Sequence, residues 1–226
     1  MADDSRAIPE IVPVFPLPEV VLFPHTILRL HIFEPRYRAM MKDALAGPRM
    51  ISVALLRPGY EPLEFTRHAP IHKTIGVGQI YQSEQVANGN YNLLLRGVGR
   101  ATIVEELTER DYRLARVTPV QTYCHSSQTQ VDQLREELFA AIRGNRALDP
   151  DVRRHWLRLA EADLDLDDVC DLIAAGLPVE AELRQCLLDE PEAAARTQML
   201  IDHMRTLAAI ARNYWRPMRP DGNSMN

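Results

Sequence analysis

The sequence predicts an α+β fold, a small β-barrel followed by a helical bundle, on three observations. Apolar residues alternate with a period near 2 through short segments up to about residue 121, then recur at helical spacing from about residue 129. Glycine pairs, Gly76/Gly78 and Gly97/Gly99, interrupt two of the apolar segments in the first half, as bends of a small closed sheet do. Prolines 13, 16, 18 and 24 break the opening apolar run into pieces too short for a helix.

Taken in order, those opening pieces are predicted to be short edge strands and turns, because proline donates no ladder hydrogen bond. His25 and His31 flank an apolar strand and alternate with Leu28, Leu30 and Ile32, which places them on its polar face. After Phe33-Glu34-Pro35 the spacing of Tyr37, Met40, Met41, Ala44 and Leu45 predicts an amphipathic helix. Pro35 suits its first turn, and Glu34 sits near the positive end of the helix dipole. Met50 to Leu56 reads as a buried strand between Gly47-Pro48 and Pro58-Gly59, and 59–70 as a loop. Ile75 to Tyr81 alternates around Gly76 and Gly78, which imply a bulge or a close backbone approach. Asn88-Gly89-Asn90 is a hairpin signal leading into Tyr91 to Leu95. Tyr112 to Val120 is the last predicted strand.

The helical stretches follow from 3.6-residue periodicity. They are 129–143 (Val131, Leu134, Leu138, Ile142), 152–159 (Trp156, Leu159), 167–175 ending at Gly176, 180–188, and 192–215. The last carries Leu200, Met204, Leu207, Ala208, Ala211 and Trp215 on one side. The organisation expected is a flexible tail at 1–8, a β-rich domain at 9–121, a helical domain at 122–216 and a disordered tail at 217–226.

The opening run IVPVFPLPEVVLFPHTILRLHIFEPRYR, residues 11–38, resembles the start of the N-terminal substrate-binding domain of Lon proteases. Later segments, IGVGQI, YNLLLRGVGRATIVEE, YRLARV and AAGLPVEAELRQCLLDEPEAAARTQMLIDHM, are similar to that family's landmarks and occur in its order. The resemblance covers about residues 10 to 210. It implies a PUA-like barrel beside a helical part, and recognition of unfolded or extended polypeptide segments. A full-length Lon protease continues into an ATPase module and a Ser/Lys protease domain.

No GxxxxGK[ST] phosphate loop and no GxSxG elbow occur here, and none of the six serines has a nominated base. The chain is therefore expected to be no enzyme and to hold no cofactor, acting instead as an adaptor or regulator in protein quality control. Expected partners are extended polypeptides and an ATP-dependent protease or chaperone, with a homodimer as a further option. A net charge of −5 without a basic run argues against nucleic acid, leaving an RNA- or nucleotide-binding PUA-like module as the alternative. No apolar run approaches the roughly 20 residues of a membrane span. The polar start carries no secretory signal, which points to the cytoplasm. The three cysteines form no CxxC pair and read as reduced, partly buried thiols.

Metal binding finds little footing. Pro70 separates His68 from His72, and leucines interrupt the acidic run Asp163, Asp165, Asp167, Asp168, which reads better as a helix N-terminus. The candidate binding residues are Phe33, Glu34, Arg36, Tyr37, Arg38 and Arg96. Phe33 and Tyr37 are predicted as seam residues between barrel and helix, with Glu34 paired to an arginine. The competing reading makes the same edge an aromatic and charged rim for an extended peptide. Arg96 and Arg100, on either side of the Gly97/Gly99 kink, are assigned either to strand-end carbonyls or to a groove.

Overall fold

A computed structural model describes residues 7–63, 66 and 68–214. The tail predicted at 217–226, most of the one at 1–8, and Trp215 lie outside the described residues. Within them the chain is mixed α+β, with six strands and six α-helices. The strands are β1 (Ile11–Leu17), β2 (Ile27–Ile32), β3 (Met50–Leu55), β4 (Thr74–Gln85), β5 (Tyr91–Leu107) and β6 (Arg113–Val120). Helix α1 (Pro35–Ala46) lies between β2 and β3. Helices α2 (Gln128–Gly144), α3 (Pro150–Leu159), α4 (Leu166–Ala175), α5 (Ala181–Asp189) and α6 (Ala193–Tyr214) follow the last strand.

The strands lie in the order β2-β5-β4-β3-β1-β6, and β5 also pairs with β6. The pairings β1–β3–β4–β5–β6–β1 thus form a ring, with β2 attached outside it along β5. One strand can serve both β4 and β6 because β5 runs unbroken for 17 residues and bulges as it goes. The register with β4 shifts between Val77 and Gly78, where Val98 stands as the extra residue opposite, and that with β6 shifts between Ile103 and Glu105.

The prediction of edge strands for the proline run needs correction at β1, which has neighbours on both sides. Its two ladders are staggered. Ile11 to Val14 pair with β6 and Val14 to Leu17 pair in parallel with β3. Pro13 therefore stands where only β6 is paired, and Pro16 where only β3 is. The Pro13 carbonyl accepts a hydrogen bond from Ser52 Oγ at 2.8 Å.

Gly76 makes the predicted close approach, and Gly97, expected only as part of a kink, makes another. A Cβ at Gly76 would lie 2.0 Å from the Leu22 carbonyl oxygen, and one at Gly97 2.0 Å from that of Phe23. The β1–β2 loop thus lies directly on β4 and β5. Its side chains part to both sides: Val20 and Leu22 pack with the strands and α1, while Val21 and Phe23 pack into the helical core. That helical core gathers Leu138, Ile142, Trp156, Val169, Ile173, Leu200 and Met204.

Polar links join the strands to the helices as well. Gln185 Nε2 on α5 donates to the Thr74 carbonyl at 3.0 Å, and Arg184 Nη2 donates to that of Glu19 at 2.8 Å. His72 meets Glu182 at 3.2 Å, so this loop histidine has an acidic neighbour that its sequence context does not disclose. Among the described residues no group of three or more His, Cys, Asp or Glu is placed to hold a metal, and no helix is long and apolar enough to cross a membrane.

Candidate polypeptide-binding face

β2 has one ladder neighbour, β5, and its residues make no other backbone hydrogen bond among the described residues. Its period-2 pattern sends Leu28, Leu30 and Ile32 inward. Ile27, Arg29 and His31 are exposed on the other face, and Phe33 just past the strand end is exposed too. The register lays the outward residues of β2, β5 and β4 side by side. Ile27 stands beside Arg96 and Gln79, Arg29 beside Leu94 and Gln82, and His31 beside Asn92 and Glu84. The bulge between Ile80 and Gln82 turns Tyr81 outward, leaving it 66% exposed. A shallow groove of about 490 Å³ runs over this face, bordered by Arg29, His31, Gln82, Glu84, Asn92 and Leu94.

The face combines an unpaired strand edge with apolar and cationic side chains. His31 Nδ1 lies 2.7 Å from Asn92 Oδ1, and its Nε2 lies 3.5 Å from Asn90 Nδ2. Those contacts have Nδ1 donating to Asn92 and Nε2 accepting from Asn90. Phe33 stacks on His31 with ring centroids 6.2 Å apart. Arg29 takes no hydrogen bond or ion pair among the described residues.

The predicted site residues divide into two groups. Phe33 is 62% exposed, which overturns its assignment to the seam, whereas Tyr37, at 4%, is a seam residue as predicted. The physical reason is position. Phe33 continues the outward row of β2, while Tyr37 begins the buried stripe of α1 and meets Phe15 edge-on at 4.6 Å. Burial pushes the Tyr37 hydroxyl up to about 12. Glu34 stands at the N-cap position of α1 without a side-chain capping bond and accepts from Arg36 at 2.9 Å, as expected of an acid paired at the helix start. Arg36 also lies over the Tyr37 ring at 4.5 Å. Arg38 Nη1 donates to the Asn88 carbonyl at 2.6 Å and so ties α1 to the β4–β5 hairpin. Arg96 lies half-buried in the outward row of β5. Phe33 and Arg96 thus lie on the outward side of the sheet without lining the groove itself, and of Glu34, Arg36 and Arg38 it is Arg38 that touches the hairpin.

Arg29, Ile27 and Tyr81 belong to the face and are absent from the sequence-predicted site. The alternation that places His31 outward also places Arg29 and Ile27 there, so that signal was present. Tyr81 depends on the bulge, which alternation does not reveal. His25 is not on a strand face. It sits before β2 with a φ of 62° and meets Asp168 of α4 at 3.1 Å.

Arg100 is buried at the junction of the two cores, a place the sequence reading does not assign it. It donates to Asp171 of α4 at 2.5 Å, beside Arg196 of α6, which pairs with Asp167. Asp167 also accepts from Thr122, and the acidic run leads into α4, with Asp165 at its N-cap position and Asp167 and Asp168 in its first turn. Burial pushes the Asp171 carboxyl up to about 6 against the pull of Arg100, and pushes Arg196 down to about 9.

The chain is 28% identical to Lon protease 2 of Myxococcus xanthus over 199 residues, 88% of this chain and 24% of that protein. It is 27% identical over 199 residues to the Lon protease of Anaeromyxobacter dehalogenans, covering 88% and 23%. The chain therefore spans about a quarter of the length of these relatives. Among solved structures, the N-terminal domain of Mycobacterium avium complex Lon protease superposes with a TM-score of 0.65 at 16% identity, covering 86% of this chain and 98% of that one. The Lon N-terminal domain protein from Xanthomonas campestris gives 0.62 at 19% identity, covering 85% and 97%. The model of the ATP-dependent protease La (LON) substrate-binding domain matches residues 11–206, and the chain belongs to that family.

Proposed function

We propose that this chain is a non-catalytic module that captures extended polypeptide segments and serves as an adaptor or regulator of proteolysis. The observation that carries this reading is the single-sided pairing of β2 beside an outward face of Ile27, Arg29, His31, Phe33 and Arg96. An extended peptide can add to such an edge by main-chain hydrogen bonds, while neighbouring side chains choose its sequence. Glu34, Arg36 and Arg38 form the rim, and Tyr37 holds the helix that carries them. The strand ring is read as the small barrel of a PUA-like domain at 9–121, followed by a helical domain at 122–216. The partners are unfolded polypeptides and an ATP-dependent protease or chaperone in the cytoplasm.

The test is capture of a reduced, unfolded model protein by the purified chain, compared with an Ile27→Pro variant. Proline there removes an edge donor and changes the outward row. Binding is expected to fall while the far-UV spectrum is unchanged; equal binding by a folded variant would reject the β2 edge. ATP hydrolysis and peptide cleavage are expected at background, and turnover that follows the intact chain would reject the non-catalytic reading.

One observation favours a second reading. Tyr81 and Phe33 are exposed aromatic rings on an open sheet that also carries Arg29 and Arg96, and single-stranded RNA can stack on such surfaces. The chain's net charge of −5 weighs against it, because few phosphates are neutralised.

A further inference from the structure

The chain carries −5, yet the middle of the free β2 edge is held by a cation, Arg29, with no ion-pair partner among the described residues; Glu84 stands across β5 from His31, and Glu34 is already paired with Arg36. Arg29 occupies the middle of the free edge, between Ile27 and His31 on the same side. A peptide extending the sheet along β2 presents every second side chain to this face, about 6.8 Å apart. Each one sits directly opposite a β2 residue, with Cβ atoms roughly 5 Å apart.

We propose, resting on the polypeptide-binding reading above, that the segment captured at β2 is acidic, with a carboxylate opposite Arg29 and apolar or aromatic side chains two residues to either side. The flanking positions fall beside Ile27 and beside His31, whose ring is extended by Phe33 at 6.2 Å. The resulting pattern is apolar-x-acid-x-apolar. It reads the same in both chain directions, so it holds for parallel and antiparallel addition. A basic residue at the central position meets Arg29 head-on with Arg96 nearby, and a like-charge pair directly opposite is unfavourable.

The test uses the full chain and three fluorescein-labelled heptapeptides, TFTETFT, TFTQTFT and TFTKTFT, with binding read by anisotropy at low and high salt. The expected order is Glu over Gln over Lys, with about a tenfold spread between the extremes at low salt, since each exposed charge contact is worth a few-fold. The spread should narrow at high salt. Arg29→Glu should invert the order, and because Arg29 is exposed and has no partner among the described residues the variant should melt like the parent protein. If no peptide binds, the polypeptide-binding reading itself fails. If all three bind alike, or if Arg29→Glu leaves the order unchanged, that reading stands and the acidic preference is wrong. An oligouridylate that displaces TFTETFT and binds more tightly than it would overturn the proposal in favour of RNA.

Discussion

Arginines at two places in this molecule do opposite jobs. Arg29 lies in the open on the free face of β2, with no partner among the described residues. Arg100 is buried, 1% exposed, between the strand ring and α4, where Asp171 holds it at 2.5 Å. An exposed guanidinium keeps its hydration, contributes little to stability and is available to a ligand. A buried one has lost its water, so its carboxylate partner must stay in place, and the two fix the geometry of whatever carries them. The seam thus spends polar groups on holding β5 against α4 and α6, while the β2 face leaves Arg29 without a partner among the described residues. Net charge and composition do not separate these roles; burial does.

The comparison predicts the largest effect at the seam. Arg100→Ala should lower stability by roughly 3–5 kcal/mol, as measured by urea denaturation, because it takes from buried Asp171 the guanidinium that donates to it at 2.5 Å and leaves only Arg196 Nε, 3.7 Å away. Arg29→Ala should change it by less than about 0.5 kcal/mol. A similar loss for both would mean that the open face is not open.

A second contrast lies within four residues. Tyr37→Ala should cost roughly 3 kcal/mol or more, since it removes a buried ring that packs on Phe15. Phe33→Ala should leave the melting temperature almost unchanged and weaken polypeptide capture. Early melting of the Phe33 variant would return that ring to the seam.

The pH dependence of the seam sharpens the picture further. Burial raises the Asp171 carboxyl from 3.8 to about 6, so between those values the folded protein binds a proton that the unfolded chain does not. The stability contributed by Asp171 is therefore fully present below about pH 3.8 and is lost as pH rises through about 6. Asp171→Asn should remove this slope, and the stability difference should shift towards the variant from pH 4 to pH 7 in paired denaturation series. A shift the other way would mean that attraction to Arg100 outweighs burial.

Much of the fold was legible because its signals are local. Helix α1, the strand at Met50 and the hairpin at Asn88-Gly89 each follow from spacing, proline placement or turn chemistry within a dozen residues. The glycine positions announced a close approach, yet not its partner: Leu22 and Phe23 come from a loop more than 50 residues away. The staggered ladders of β1 escaped for a similar reason, since proline shows that a donor is missing but not which neighbour has stopped pairing. At the site, alternation along 27–33 carried the row Ile27, Arg29, His31 and Phe33. Assigning Phe33 and Tyr37 together to the seam passed over the change of period between them, from the alternation of β2 to the helical spacing of α1. The Arg100–Asp171 pair joins residues 71 apart in the chain, and nothing in either local context marks the other.

The smallest predicted effects fall at the rim, where the two kinds of arginine meet. Arg38 is anchored, but in water: it donates at 2.6 Å to the carbonyl of Asn88, at a hairpin tip where Asn88 and Gly89 both have positive φ. Arg36 pairs with Glu34 and lies on Tyr37, half-buried at 17% and 29% side-chain exposure for the pair. Neither contact is desolvated as the seam is, so each should be worth less than about 1 kcal/mol. Arg38→Ala should therefore shift the melting temperature slightly and speed amide exchange at Gly89 and Asn90, because the hairpin loses its tie to α1. Arg36→Ala should shift it still less and leave the hairpin unaffected. If both weaken polypeptide capture about twofold, the rim belongs to the binding face. If only Arg38→Ala does so, and exchange at the hairpin rises with it, Arg38 acts by holding the hairpin beside the groove, and the ligand itself meets β2.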